Sequence, residues 1–190
     1  VKIGVIIPLS GESAYWGGNI RDGVELAKNK INEEGGIKGR KIVIVYEDTK
    51  GEPKTATSAV NKLIFADKVD YFIGDVISSN ILAIAPIIDK NKIPLICFGE
   101  STEITKASDY IFRNWNSASS DAIITGEFAS QQSKKIILLS RNDAFGKSAK
   151  DLFEKEIQNN VDIVDNIQFN YESSDFKSLM KLFSCTNAKS

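Results

Sequence analysis

The chain of 190 residues contains no histidine. That absence removes Ser-His-Asp and Cys-His nucleophilic arrangements and every histidine metal site. An enzyme built on this sequence would have to work with carboxylates, lysines or a cofactor. Cysteine is scarce as well. Cys97 and Cys185 stand far apart in the chain; a bridge between them stays open, but two thiols make no disulfide framework, and each reads as a small buried hydrophobe. The net charge of −1 supplies no basic field of the kind that draws nucleic acid. No stretch approaches the roughly 18 consecutive apolar residues of a membrane span, and there is no internal repeat or low-complexity tract. No leader precedes the first strand, which fits a processed mature chain, a trimmed sequence or a cytoplasmic protein alike.

What is present is a regular alternation. With 42% hydrophobic residues, the chain can build one good core or two small lobes. Short apolar runs bounded by turn residues predict strands at 2–8, 41–47, 69–74, 93–98, 110–114, 136–140 and 161–169. Runs that are apolar on both faces suit a parallel sheet covered by helices. Between them, Ile20, Val24, Ala27 and Ile31 repeat at helical spacing, and Gly35-Gly36 stops that helix. Pro53 opens a second helix with Ala56, Val60, Leu63 and Ile64 on one face. Ile81, Ala85 and Ile88 mark a third, in which Pro86 predicts a kink or a weak point. Further helices are expected over 120–131, 146–159 and 174–183. Alternating strands and helices predict an α/β fold with an open, doubly wound parallel sheet, whose ligands bind beyond the carboxyl ends of the strands.

The informative loops are therefore those that follow strands. Ser10 to Gly18 carries Tyr15 and Trp16, which can wall an organic ligand or simply pack between loops. It is not a G-x-G-x-x-G dinucleotide loop, and Glu47-Asp48 lies too far along to hold a ribose. Gly74 to Asn80 opens a helix. Its free N–H groups and Ser hydroxyls can take a carboxylate or phosphate, or Ser and Asn can serve as caps alone. Phe98 to Glu103 admits the same two readings: Gly99 lets a carbonyl approach a ligand and Ser101 and Thr102 offer hydroxyls, or the segment is a helix start. Phe145, after the strand at 136–140, faces a cleft or covers a core edge. The acid pairs Glu33-Glu34 and Glu47-Asp48 have no partner base and read as solvated. The polar stretch 113–121 reads as a crossover between two lobes.

Taken together, Ile3 to Gly11, Asn32 to Gly39, Glu47-Asp48-Thr49 with Pro53, Ile73-Gly74 with Ser78-Ser79, Ala85-Pro86-Ile87, Ile93 to Ile96, Phe112-Arg113 and Phe145-Gly146 resemble the leucine/isoleucine/valine-binding protein family. These are the type I periplasmic binding proteins that capture substrates for ABC importers. The resemblance implies two α/β lobes joined by crossovers, with lobe one at 1–116 and lobe two, incomplete, at 117–190. It implies no enzyme activity, no cofactor and no metal. The expected ligand is a small amino acid, branched-chain or aliphatic, and the expected partner is an ABC permease, with no nucleic acid. Ser78 and Ser79 would hold the α-carboxylate, and Gly99 with Ser101 or Thr102 would meet the ammonium and carboxylate. Trp16 would line the side-chain pocket, and Phe145 would stand where the family usually has a tyrosine. The loop at 97–103 is one residue shorter than the family's and lacks its prolines, and Ala118 replaces a frequent Asp. The family location is periplasmic or extracellular, including membrane-anchored lipoproteins, with the signal peptide removed.

Family members are much longer than this chain, so the resemblance implies an amino-terminal fragment, a truncated gene product or a frameshifted reading. Such a chain is expected to expose apolar sheet edge and to bind weakly if at all. A receptor or sensor region, or an amide- or urea-binding relative, is the alternative. An enzyme on a doubly wound scaffold would need an activated nucleophile or a metal cluster, and neither is visible.

Overall fold

The computed structural model describes residues 1–157, 161–170 and 177. The helix expected at 174–183 and Cys185 lie outside these, Lys177 alone excepted. The chain divides into two compact units, Val1–Asn116 and Ser117–Ser190.

The first unit runs β1 (Lys2–Ile7), α1 (Ala14–Glu33), β2 (Val43–Asp48), α2 (Pro53–Phe65), β3 (Tyr71–Ile73), α3 (Ser78–Asn91), β4 (Leu95–Cys97), a 3₁₀ turn (Ile104–Lys106) and β5 (Ile111–Arg113). Its five strands are all parallel in the order β2-β1-β3-β4-β5. α1 ends where Gly36 N–H reaches back to the Ile31 carbonyl, with Gly35 and Gly36 both at positive φ. α3 carries Pro86 inside it and still runs from Ser78 to Asn91, so the expected weak point does not divide the helix.

Right-handed crossovers put α1 on one face, because the chain steps from β1 outward to β2, and α2 and α3 on the other. The side chains confirm the division. On the α2/α3 face, Phe72, Leu95 and Ile111 lie in register across β3, β4 and β5 and join Val60, Leu63, Ile81, Ile84 and Ile88 in one core cluster. Phe72, 1% exposed, packs over Gly4, where a Cβ would come within 2.9 Å of its ring. On the α1 face, Tyr46 Oη donates to Glu25 Oε1 at 2.8 Å. Burial and that carboxylate push the Tyr46 phenol well above its ordinary range.

The α1 face is covered unevenly. Val5, Ile73, Ile96 and Phe112 form one lateral row across β1, β3, β4 and β5. Val5 is 0% exposed, whereas Ile96 is 44% and Phe112 55% exposed. Exposure thus grows along the row from β1 towards β5.

The second unit comprises α4 (Ala118–Gln132), β6 (Lys135–Arg141), α5 (Ala144–Glu156) and β7 (Asp162–Phe169). β6 and β7 pair in parallel, with a register shift between Ile136 and Ile137. α4 starts on the Ser117 hydroxyl and α5 on the Asp143 carboxylate, which accepts from Gly146 N at 2.8 Å. α4 and α5 approach closely at Gly126, where a Cβ would stand 2.7 Å from Glu156 Cγ.

Candidate functional site

In a sheet ordered 2-1-3-4-5 the chain reverses direction between β1 and β3, and the loops leaving those two strands diverge and open a crevice. The loop after β1 leads to Trp16 and the loop after β3 leads to Ser78 and Ser79. The next loop along the sheet, after β4, carries Gly99, Ser101 and Thr102. Topology alone therefore gathers six of the seven sequence-predicted site residues at one end of the first unit.

The loops after β3 and β4 are tied to each other directly. Ser78 is the first residue of α3 and is buried, and its Oγ accepts from both Glu100 N and Ser101 N at 3.2 Å. Gly99 sits against this knot: a Cβ there would come within 2.5 Å of Ile81 Cδ1, 2.7 Å of Ile104 Cδ1 and 3.3 Å of Ser78 Oγ. The Ser78 hydroxyl thus fastens the β4 loop to the helix start. At the same start, Asn80 N and Ile81 N turn back to the Ile77 carbonyl at 3.0 and 3.1 Å. The N–H groups of Ser78 and Ser79 meet no acceptor among the described residues. Two free N–H groups at the head of a helix of 14 residues favour an anion. Ser79 is half-buried beside them. Ser101 is buried and accepts from Glu103 N at 3.4 Å.

Beneath the loop lies a group that sequence reasoning missed. Asp75 is fully buried and accepts four hydrogen bonds: from Thr49 Oγ1 at 2.7 Å, Asn80 Nδ2 at 2.8 Å, Val76 N at 2.5 Å and Ile77 N at 3.2 Å. Its carbonyl accepts from Phe98 N at 3.0 Å. One residue therefore joins the loops after β2, β3 and β4 to the head of α3. Burial raises its carboxyl above the usual range despite the four donors. The only available signal was an acid directly after an apolar strand, and that pattern also describes an ordinary cap.

Asp48 is a correction. The sequence suggests a solvated acid, but the carboxylate accepts from Leu9 N and Lys50 N at 2.8 Å, Ser10 N at 3.3 Å and Ser10 Oγ at 2.5 Å. Burial pushes its pKa up, but Ser10 Oγ and the three backbone donors outweigh burial and hold it below the ordinary value. Asp48 thereby holds the loop that leads to Trp16. Trp16 itself is half exposed on the first turn of α1, edge-to-face with Tyr15 at 5.6 Å.

Arg113 closes the other side. Its Nη1 donates to the Glu100 and Ser101 carbonyls at 3.1 and 2.9 Å. Trp115 Nε1 donates to Glu100 Oε1 at 3.1 Å. From the sequence Arg113 enters only as part of a family-like segment, and neither residue has a role at the site, because 12 to 15 positions separate the partners. Cys97, at the end of β4, is a free and buried thiol, and burial pushes its pKa up to about 11. It is therefore expected to stay unmodified by iodoacetamide at pH 8 in the native chain and to react on unfolding. Peptide mapping by mass spectrometry reads Cys97 separately from Cys185.

Phe145 belongs to the second unit, on the first turn of α5, with the Arg141 guanidinium 5.5 Å from its ring centroid. An open hollow of about 340 Å³ lies in that unit at the ends of β6 and β7, lined by Arg141, Asn142, Asp143, Lys147, Lys150 and Gln168 among others. Two of its three cations are paired: Arg141 with Asp143, and Lys150 with Glu154. Among the described residues no His, Cys, Asp and Glu cluster could hold a metal ion, and no helix is long and apolar enough to cross a membrane.

The model of the periplasmic binding protein family matches residues 1–189. The chain belongs to this family. It is 28% identical over 161 residues to a Leu/Ile/Val-binding protein homolog of Brucella melitensis, covering 83% of this chain and 44% of that protein. Among solved structures it resembles the branched-chain amino acid transporter substrate-binding protein LivJ of Streptococcus pneumoniae, in complex with isoleucine. The TM-score is 0.88 at 28% identity, over 97% of this chain and 53% of that one. It also resembles an ABC transporter solute-binding protein of Rhodopseudomonas palustris in complex with 3,4-dihydroxybenzoic acid, with TM-score 0.88 at 27% identity, over 98% and 52% of the two chains. The fold is that of the type I periplasmic binding proteins, as the resemblance implied. The chain spans about half the length of the relatives it matches.

Proposed function

We propose that this chain is the amino-terminal part of a substrate-binding protein of an ABC importer that captures a small amino acid, branched-chain or aliphatic. The observation that carries this reading is the head of α3. The free N–H groups of Ser78 and Ser79 offer a carboxylate seat, and the Gly99 carbonyl, which accepts no hydrogen bond among the described residues, offers an acceptor to an ammonium. The relatives named for leucine, isoleucine and valine supply the ligand class.

In this account Ser79 and the Ser78 N–H take the α-carboxylate, Ser101 and Thr102 border it, and Trp16 lines the side-chain pocket. The loaded protein is presented to a membrane permease from the periplasmic or extracellular side. No residue is asked to do chemistry on the ligand; the protein binds and releases. The solute-binding proteins held with aromatic acids support a second reading, in which the same carboxylate seat takes a benzoate.

A thermal-shift screen of the intact gene product separates the two. Leucine, isoleucine or valine is expected to raise the unfolding midpoint, because a ligand that binds only the folded state stabilises it. Ser79→Ala is expected to weaken the same ligand about tenfold through loss of one hydrogen bond to a charged group. A rise with benzoates and none with amino acids would reject the amino-acid reading in favour of the second.

A further inference from the structure

We propose that Asp75 couples ligand capture to proton uptake: an anion seated at the head of α3 is bound together with a proton on the Asp75 carboxylate. The proposal rests on the carboxylate seat of the preceding subsection and adds a pH dependence to it.

The consecutive N–H groups from Val76 to Ile81 divide into three pairs. Val76 N and Ile77 N donate to Asp75 Oδ1 at 2.5 and 3.2 Å. Ser78 N and Ser79 N meet no acceptor among the described residues, and Asn80 N and Ile81 N turn back to the Ile77 carbonyl. Asp75 and a ligand carboxylate thus take adjacent pairs from one run of donors. The positive end of one helix amounts to about half an elementary charge, and two full negative charges would share it. The group that gives way is the buried one. Asp75 is 0% exposed, so burial already works against its charge, and a second anion beside it works in the same direction.

The wiring of Asp75 fits either protonation state. Oδ1 takes two backbone N–H groups, which cannot reverse. Oδ2 takes the Thr49 hydroxyl at 2.7 Å and the Asn80 side-chain amide at 2.8 Å, and both of these can. A hydroxyl accepts as well as donates, and an amide presents its oxygen after a half-turn. Asn80 Oδ1 is buried and has no hydrogen-bond partner among the described residues. A proton taken from solvent onto Oδ2 therefore finds an acceptor in Thr49 Oγ1 or in Asn80 Oδ1.

No cation fixes the charge on Asp75. The segments packed against it bring Asp48, Lys50 and Glu52 after β2, Cys97 and Glu100 at and after the end of β4, and Arg113 on β5. The first two turns of α3 carry no ionisable side chain, and the end of β1 brings Ile6 and Ile7 against Gly74. Arg113 directs Nη1 to the Glu100 and Ser101 carbonyls. Among the described residues no ion pair includes Asp75. Its carboxyl stands above the ordinary value before any ligand arrives, and a bound anion raises it further. Affinity is therefore highest below the pKa of the free protein, falls as pH rises from that value to the pKa of the loaded protein, and is level above it.

The test is calorimetry of the intact gene product with L-isoleucine and with 4-hydroxybenzoate, in steps from about pH 5 to pH 8, each in two buffers of different ionisation enthalpy. The wild-type protein is expected to take up protons on binding and to lose about tenfold in affinity across that range, for a displacement of about one pH unit. Asp75→Asn keeps an oxygen for Val76 and Ile77 and turns a donor towards Thr49 and Asn80, as the protonated acid does. It is expected to hold the wild type's low-pH affinity at every pH and to take up no proton. The ¹³C shift of the Asp75 carboxyl in the wild-type protein reads the same displacement without a variant: it is expected to titrate at higher pH in the loaded protein than in the free one. A flat affinity profile, proton uptake that persists in Asp75→Asn, or a carboxyl that titrates alike free and loaded overturns the proposal. Proton uptake with 4-hydroxybenzoate and no binding of isoleucine overturns the amino-acid reading and leaves the role of Asp75 standing. A protein that binds neither acid overturns the seat and the role of Asp75 with it.

Discussion

Gly17→Ala is expected to cost about 3 kcal/mol of stability or more, while Gly18→Ala, one residue on, is expected to add about 0.5–1 kcal/mol. Both glycines lie in the first two turns of α1, where alanine is the better helix former. They differ in what they face. A Cβ on Gly17 would stand 1.8 Å from the Pro8 carbonyl oxygen and 2.6 Å from its carbon. That atom is backbone at the end of β1, so no rotamer change relieves the contact, and helix and strand must separate. A Cβ on Gly18 meets nothing within 4 Å. Urea unfolding of the two single variants, followed by the circular dichroism of the helices, reads both signs in one experiment. The same device recurs in the second unit: at Gly146, early in α5, a Cβ would come within 2.1 Å of the Arg141 carbonyl oxygen at the end of β6. In each unit a helix head is drawn tightly onto the end of the preceding strand, and glycine makes the approach possible.

The second large effect is expected at Asp75. Asp75→Ala leaves Thr49 Oγ1, Asn80 Nδ2 and the N–H groups of Val76 and Ile77 without their acceptor, in a fully buried position. At about 1 kcal/mol or more for each stranded donor, partly relieved by entering water, the loss comes to about 3–5 kcal/mol. The cost has a pH signature. Burial raises the folded carboxyl above its ordinary value, so the folded chain holds that proton more tightly than the unfolded one. The stability this linkage contributes is complete below about pH 4, where an unfolded aspartate titrates, and is lost as pH rises through the folded pKa. The difference between wild type and Asp75→Ala is therefore expected to be larger at pH 4 than at pH 7. Denaturant curves at the two pH values measure it. A difference that grows with pH would mean that the four donors outweigh burial.

The elements of this fold were legible because burial leaves a period in the sequence. The apolar runs at 2–8 and 93–98 marked β1 and β4, and Pro53 marked the head of α2. The same runs could not say which face is covered. Leu95, Ile96 and Cys97 read alike as residues, yet Ile96 is 44% exposed and its two neighbours are buried, because Leu95 and Cys97 face the core under α2 and α3 and Ile96 faces the other side of the sheet. The loops that follow strands were legible as loops, and as the place where a sheet of this kind would take a ligand. Their internal wiring was not. Asp48 bonds to Leu9 N, 39 positions away, and Ser78 Oγ to Ser101 N, 23 positions away. No local pattern distinguishes such an acid or hydroxyl from a solvated one or a cap. The doublet Gly17-Gly18 shows the same limit at the scale of one residue: both are glycine, and only the packing tells which of them has to be.

The measurement that bears most directly on the account is an NMR titration of the ¹⁵N-labelled intact gene product with L-isoleucine, following the backbone amides at the head of α3 and in the β4 loop. The account predicts saturable shifts at Ser78, Ser79, Glu100 and Ser101, with the amides of Gly23 and Leu26, further along α1, unmoved. Saturable shifts confined to other regions, or none at these four residues, would contradict it.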